Sequence, residues 1–387
     1  MLDHRLDDEY EQLRRTVAEF AHDVIAPAIG ELYEKHEFPY AIVREMGRMG
    51  LFGLPFPEEY GGMGGDYLAL GLVIEELARV DSSVAITLEA AVSLGAMPIY
   101  RFGTEEQKRT WLPKLNSGEM LGAFGLTETG GGSDAGATRT TARLDEAAGE
   151  WVINGGKCFI TNSGTDITGF VTVTAVTDTR ADGGKEISTI IVPSGTKGFT
   201  VAPPYSKVGW NCSDTRELSF TDVRVPAANL LGERGRGYAQ FLSILDEGRV
   251  AIAALGTGLA QGCVDESVRY AGEREAFGRP IGANQAIAFK LADMELRAHN
   301  SRLSWRHAAS LLVHGERFKK EAALAKLYSS ESAVDNARDA TQIHGGYGFM
   351  NEFPVARFWR DAKILEIGEG TSEVQRMLIA RELGLPR

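Results

Sequence analysis

Near the C-terminus, Ile367-Gly368-Glu369-Gly370-Thr371-Ser372-Glu373 sets one carboxylate between two glycines. Glycines lift the steric limits on the backbone and let it approach a ligand closely. Helical spacing runs from Arg360 to Leu365 before the stretch and from Val374 to Ala380 after it, with Ser372 and Gln375 placed as a capping box. A carboxylate held in a helix break suits a general base. A glycine-rich turn with an exposed Glu fits the same residues.

A second cluster, Phe124-Gly125-Leu126-Thr127-Glu128-Thr129-Gly130-Gly131-Gly132-Ser133-Asp134-Ala135-Gly136, could wrap a flat or phosphorylated ligand. Its main-chain amides and the hydroxyls of Thr127 and Ser133 are the donors; an interdomain loop is the plainer alternative. Gly256-Thr257-Gly258-Leu259-Ala260-Gln261-Gly262 lies inside a helical pattern with no strand before it, so it reads as small residues at a helix contact rather than a dinucleotide fingerprint. No GxxxxGK[ST], HExxH or GxSxG occurs, and no metal-ligand spacing is seen.

The elements that must position these groups fall into three blocks. Leu13, Val17, Phe20 and Val24 keep a helical period, with an expected stop near Pro27. Further helices are expected over Tyr40–Met49, Tyr67–Val80 and Val84–Tyr100, and another from an N-cap at Thr104 paired with Gln107. From Gly122 the pattern becomes β: Trp151–Asn154, Phe159–Thr161, Gly169–Thr177, Ile187–Val192 and Leu218–Val225, separated by Asn-Gly, Gly-Gly and Pro-Ser-Gly turns. Phe241–Arg274, Ala283–His314, Phe318–Ile343 and Val355–Ile367 are long helical stretches with short connections. The expected fold is α+β and multi-domain: an N-terminal all-α domain (1–121), a central antiparallel β-barrel domain (122–234) and a C-terminal four-helix bundle (235–387).

Composition excludes several classes. The chain of 387 residues is 43% hydrophobic and 24% charged, with a formal net charge of −12, so a broad nucleic-acid surface is not expected. Cys158, Cys212 and Cys263 are scattered, without a disulfide framework or thiolate metal site. The start of the chain is too acidic for a targeting peptide, and the best apolar run, Val250–Ala260, is short for a membrane span. A cytoplasmic protein is expected.

Further segments join the two clusters. Asn154-Gly155-Gly156-Lys157 precedes Phe159-Ile160-Thr161-Asn162, Leu245-Asp246-Glu247-Gly248-Arg249 opens the last third, and Gln342-Ile343-His344-Gly345-Gly346-Tyr347-Gly348 precedes Arg360-Asp361-Ala362-Lys363. In this order and spacing the chain, from about Asp7 to Leu385, resembles the acyl-CoA dehydrogenase family, particularly its short-chain-type bacterial members.

The resemblance implies FAD-dependent conversion of an acyl-CoA to the trans-2-enoyl-CoA, within fatty acid β-oxidation. It assigns to FAD Phe124, Leu126, Thr127, Gly132, Ser133, Phe159, Ile160, Thr161, Arg274, Phe277, Gln285, Gln342, Ile343, Gly345, Gly346, Thr371 and Glu373. Of these, Thr161 lies near flavin N5, Arg274 on the pyrophosphate, and Phe277, Gln285 and the Gln342–Gly346 segment reach a neighbouring subunit's flavin. Ser133, Asp246, Arg249 and Gly370 touch the acyl-CoA, and Glu369 is the base, with Arg249 orienting it. An electron-transferring flavoprotein is the implied electron acceptor and a homotetramer, as a dimer of dimers, the implied assembly. Three departures stand out. Phe159 replaces a common Trp. Gly248 stands where some members carry the base. Gly368 stands where straight-chain members often place tyrosine, which leaves room for a branched or bulkier acyl group. An oxygen-using oxidase or hydroxylase on the same fold and a non-enzymatic acyl-CoA binder are the alternatives; the hydroxylase needs no α-proton base.

Overall fold

The computed structural model describes residues 6–385. The N-terminal part holds seven helices: α1 (Asp8–Phe20), α2 (Ala26–Lys35), α3 (Tyr40–Arg48), α4 (Tyr67–Val80), α5 (Ser82–Glu89), α6 (Met97–Phe102) and α7 (Glu105–Asn116). Side-chain caps fix several starts: Asp66 accepts from Ala69 N, Asp81 accepts from Val84 N, and Thr104 and Gln107 form the expected capping box. Pro27 does not end the first helix. A π-helical segment, Ala21–Ile25, carries the chain into α2, and Pro27 stands in the first turn after that change of helical pitch. A second π-helical segment, Ala90–Ala96, joins α5 to α6. The run Ser82–Phe102 is long and apolar enough to span a bilayer by length and composition, where the sequence pointed to Val250–Ala260; 94% of its most apolar stretch is buried in the protein.

Eight strands follow: β1 (Leu121–Gly125), β2 (Thr141–Asp145), β3 (Glu150–Thr161), β4 (Thr168–Thr179), β5 (Lys185–Pro193), β6 (Phe199–Val201), β7 (Thr215–Pro226) and β8 (Leu230–Leu231). They run in the order β6-β7-β3-β2-β4-β5-β8, with β1 beside β4. The sheet is mixed: β1 and β2 each pair with β4 in parallel, and the other pairings are antiparallel. Asn154-Gly155-Gly156 is not a turn between two strands. It lies inside the continuous strand β3, where the register to β7 shifts, and position 155 takes glycine because a Cβ there would meet Thr140 at 2.6 Å. Trp151, Ile153, Ile160, Val171, Val173, Leu218 and Phe220 fill the sheet's own core.

The last part contains α8 (Gly237–Glu273), α9 (Gln285–Val313), α10 (Lys319–His344), α11 (Pro354–Leu365) and α12 (Ser372–Glu382). Gly258 and Gly262 allow α8 to lie against α4, since a Cβ on either would collide with the carbonyl of Glu75 or Arg79. Gly256 faces the main chain of Ser329 on α10 at 3.2 Å. The glycine run is a helix contact, as its setting in the sequence implied.

One buried knot joins all three parts. Asp361 on α11 accepts from the Tyr33 hydroxyl on α2 (2.5 Å), the Ser82 hydroxyl on α5 (2.8 Å) and the Trp210 N–H in the loop before β7 (2.6 Å). Beside it Arg357 pairs with Asp81 at 2.9 Å. The surfaces of the β part and the two helical parts are thereby held in fixed relation around the Glu369 turn.

Candidate active site

Glu369 lies between α11 and α12, and its own backbone is left-handed at φ 52°. That conformation is uncommon for a residue with a side chain and needs support from its surroundings. Support comes from two long side chains. Lys326 on α10, fully buried, donates to the carbonyls of Leu365 (2.6 Å) and Gly370 (2.9 Å). Gln375 on α12 donates to the Gly370 carbonyl (2.8 Å) and the Glu369 carbonyl (3.4 Å). The capping box expected from Ser372 and Gln375 does not form. Thr371 is the N-cap and accepts from Val374 N, which frees Gln375 to hold the turn.

The carboxylate points inward. Glu369 as a residue is partly exposed, while its Oε2 is shut off from solvent. Burial therefore raises its pKa above the ordinary carboxylate value, with Glu89, Lys326 and Arg249 pulling it back down. Gly248 on α8 makes room: a Cβ there would lie 2.6 Å from Glu369 Oε2. Arg249 is buried next to it and pairs with Asp246, whose other oxygen meets Lys319 at 3.2 Å. Among the described residues no backbone carbonyl accepts from the Glu369 N–H, so this donor is free for a ligand. Gly368, by contrast, is not required by the backbone. Its φ is not positive, and a Cβ would touch only the Ile364 carbonyl, at 3.5 Å.

The residues expected around a flavin divide into three groups. Phe124 is buried in β1 and stacks on Phe241 with ring centroids 3.8 Å apart; Leu126 is buried beside it. Ile160 points into the sheet core, so only its main chain is available to a ligand. Thr127 is tied by its carbonyl to Cys158 N, bringing the glycine loop onto β3, while Gly132 and Ser133 lie exposed and Thr161 half-buried. Phe159 is 65% exposed with φ 59°, its ring tilted against Tyr205.

A third group lies at the far end of α8 and α10. Arg274, Ile343, Gly345 and Gly346 line a cleft of 540 Å³ together with Tyr270 and Tyr347, and the Arg274 guanidinium sits 5.8 Å from the Tyr347 ring centre. Gln342 lines the adjoining cleft of 640 Å³. Phe277, Gln285 and Glu373 project from the surface, and Thr371 serves as a cap. These residues are not gathered into one place within a single chain.

Two residues at the turn were not found by reading the sequence, Glu89 and Lys326, and Gln375 was read only as a capping partner of Ser372. Glu89 and Lys326 carried a faint signal, each being a lone charge inside an apolar or alanine-rich helical run. Glu89 ends α5 fully buried, and it faces Glu369.

An aromatic ring held outward on a left-handed residue, a loop of main-chain donors on β3 and a cationic cleft with space over Gly345 and Gly346 suit a flat, phosphorylated cofactor. Comparison with known proteins agrees. The chain matches the acyl-CoA dehydrogenase N-terminal domain over residues 7–119, the middle domain over 123–223 and the C-terminal domain over 235–384. It is 50% identical to a probable acyl-CoA dehydrogenase of Bacillus subtilis, across 99% of this chain and 100% of that one. The butyryl-CoA dehydrogenase structure from Megasphaera elsdenii superposes with a TM-score of 0.95 at 41% identity, over 99% of this chain and 100% of that one. An acyl-CoA dehydrogenase of Bacillus anthracis, solved in complex with FAD, superposes at 0.92 with 34% identity, over 100% of this chain and 70% of that one. With a carboxylate in a helix break between three parts that each match, the chain belongs to the acyl-CoA dehydrogenase family, whose members are FAD-dependent enzymes.

Proposed function

We propose that the chain removes the Cα proton of an acyl-CoA thioester with Glu369, yielding the trans-2-enoyl-CoA. The observation that carries this reading is the Glu369 carboxylate itself: closed to solvent at Oε2, raised in pKa by burial, and held in a strained turn by Lys326 and Gln375. Such a group is a stronger base than a solvated carboxylate and is fixed where a bound thioester would meet it. FAD, when bound, supplies the hydride acceptor for the Cβ hydrogen.

The protein's own contribution is binding and polarisation. The free Glu369 N–H donates to the thioester carbonyl and stabilises the charge that builds as the α-proton leaves. Arg249, buried and paired with Asp246, holds positive charge near the carboxylate and favours its ionised form. Ser133 and Gly370 line the thioester and its pantetheine arm, and Asp246 closes the same side. Phe124, Leu126, Thr127, Gly132, Phe159, Ile160 and Thr161 would hold the flavin ring, with the Thr161 hydroxyl as a donor toward its hydride-accepting nitrogen. Arg274 pairs with a pyrophosphate. Phe277, Gln285, Gln342, Ile343, Gly345, Gly346, Thr371 and Glu373 complete the cofactor site between two chains. Phe277, 99% exposed at the tip of a two-residue hairpin, supports that reading, because a large apolar side chain so placed gains only by meeting a second chain.

Domain boundaries near 121 and 234, a dimer of dimers, a cytoplasmic place in β-oxidation and an electron-transferring flavoprotein as acceptor belong to the same proposal. Short or branched acyl groups are the substrate class, since Gly368 leaves space beside the base that no backbone requirement explains. An anaerobic titration with butyryl-CoA, isobutyryl-CoA and octanoyl-CoA, followed by loss of flavin absorbance, tests this. Bleaching by none of the three overturns the dehydrogenase reading, and a strict preference for linear chains overturns the role given to Gly368.

A further inference from the structure

Glu89 is the last residue of α5, has no solvent exposure, and has no hydrogen-bond donor on either carboxylate oxygen. Against the larger effect of burial, the neutral neighbour Ser93, whose hydroxyl lies 2.9 Å from that of Tyr67, pulls the Glu89 pKa down. Yet Glu89 lies within hydrogen-bonding reach of Glu369, whose Oε2 is likewise buried and without a donor. The gap left by Gly248 is shared between them: a Cβ there would lie 2.6 Å from Glu369 Oε2 and 3.7 Å from Glu89 Oε1. Two ionised carboxylates facing each other across that gap would repel in a medium of low dielectric, and Glu369 Oε2 has no donor to offset the repulsion. A single proton between them satisfies both.

The surrounding charges decide where the proton resides. Arg249 on α8 and Lys326 on α10 face Glu369 and favour its anionic form. Among the described residues no cation faces Glu89. Tyr67 on α4 and Ser93 in the π-helical segment are neutral, and Glu247 on α8, paired with Arg101 at 3.1 Å, adds a further acid to the same polar cluster. Burial and the Glu369 charge drive the Glu89 pKa well above the ordinary value.

On this geometry, and resting on the dehydrogenase reading of Glu369, we propose that Glu89 is a positioning residue: it stays protonated and donates its carboxyl hydrogen to Glu369. The bond keeps the base ionised in a buried site and holds it withdrawn toward Gly248 until a thioester arrives. No net proton is consumed. Glu369 leaves the Glu89 hydrogen, takes the substrate's α-proton, and returns its own proton to solvent when product departs.

Two substitutions separate this role from simple packing. In Glu89→Gln the side-chain amide still donates to Glu369; in Glu89→Leu no donor remains. Infrared difference spectra of the holoenzyme, wild type minus Glu89→Gln, are expected to contain a protonated-carboxyl band that persists between about pH 6 and 9. Flavin bleaching by butyryl-CoA is expected to lose about tenfold on the acid side in Glu89→Leu, its acid limb moving up by about one unit, and to keep the wild-type limb in Glu89→Gln. Absence of the infrared band, or an acid limb in a folded Glu89→Leu protein that does not move, overturns the proposal. The infrared measurement needs no turnover, so failure of every acyl-CoA to bleach the wild type would count against the function and leave the carboxyl pair separately measured.

Discussion

Lys326 donates to the carbonyls of Leu365 and Gly370, so one buried ammonium bridges both ends of the turn whose centre is Glu369. Burial pushes the Lys326 pKa down to about 8, with the Glu369 charge opposing that fall. The base and its support are therefore electrostatically linked as well as joined through the main chain. Lys326→Met leaves the buried Leu365 carbonyl without its donor and the Gly370 carbonyl held by Gln375 alone, which loosens the left-handed turn. A stability loss of about 1–3 kcal/mol is expected from the unpaired carbonyl, together with a fall of roughly a hundredfold in flavin reduction from a displaced base. Thermal denaturation and anaerobic stopped-flow bleaching measure the two effects separately.

Glu369→Gln retains the shape of the turn and removes the proton acceptor. The variant is expected to purify yellow, to bind acyl-CoA and to lose at least about a thousandfold in bleaching rate, as removal of a general base commonly costs 10²–10⁴-fold. In the wild type the base must be ionised, and burial raises its pKa. The bleaching rate should therefore climb as pH rises through a midpoint above the ordinary Glu value and then level off. A rate that falls across that range would contradict Glu369 as the base.

Gly248→Ala tests the space rather than the charge. The added methyl meets the flexible end of Glu369 and no backbone atom closer than the carboxylate, so the fold should survive. The carboxylate must move, and a displacement near 1 Å is expected to slow bleaching by about a hundredfold. Flavin content and melting temperature serve as the controls.

Asp361→Asn strikes the buried knot. An amide offers one acceptor oxygen where the carboxylate receives Tyr33, Ser82 and Trp210, so about 1–3 kcal/mol of stability should be lost. The wild-type group carries its own pH signature. Burial, with Asp81 alongside, pushes the Asp361 pKa up to about 6, above its unfolded value. Between roughly pH 4 and 6 the folded protein then binds more protons than the unfolded chain, and this contribution to stability declines as pH rises. The gap between wild type and Asp361→Asn should shrink across the same window in denaturant titrations.

Much of this site could be read before any coordinates, because its residues stand out against their local background. Glu369 is framed by glycines, and the Gly130–Gly136 loop interrupts regular structure at the edge of the β part. Helix ends were legible where one side chain decides them, as at Thr104. They were misread where two neighbours compete: Thr371 takes the cap that Ser372 was expected to hold. Pro27 and Asn154-Gly155 carried breaker signals that tertiary structure overrode, the first through a π-helical segment and the second through a register shift inside β3. Glu89 and Lys326 act across 280 and 43 residues of sequence on Glu369, distances at which no local pattern reports a contact. Phe277 and Gln285 lie exposed, and their proposed part in a second chain's cofactor site came from the family resemblance rather than from any local pattern.

The π-helical segment Ala90–Ala96 begins at the residue after Glu89. A π-turn contains one residue more than the α-helical turn it replaces. Removing a single residue from this segment would restore an α-helix and change the placement of Glu89 at its edge. Presence or absence of the carboxyl partner is thus one insertion or deletion away, without any change to the base. Descendants of a single ancestral gene could diverge in the pH range of their chemistry through the length of this one helix.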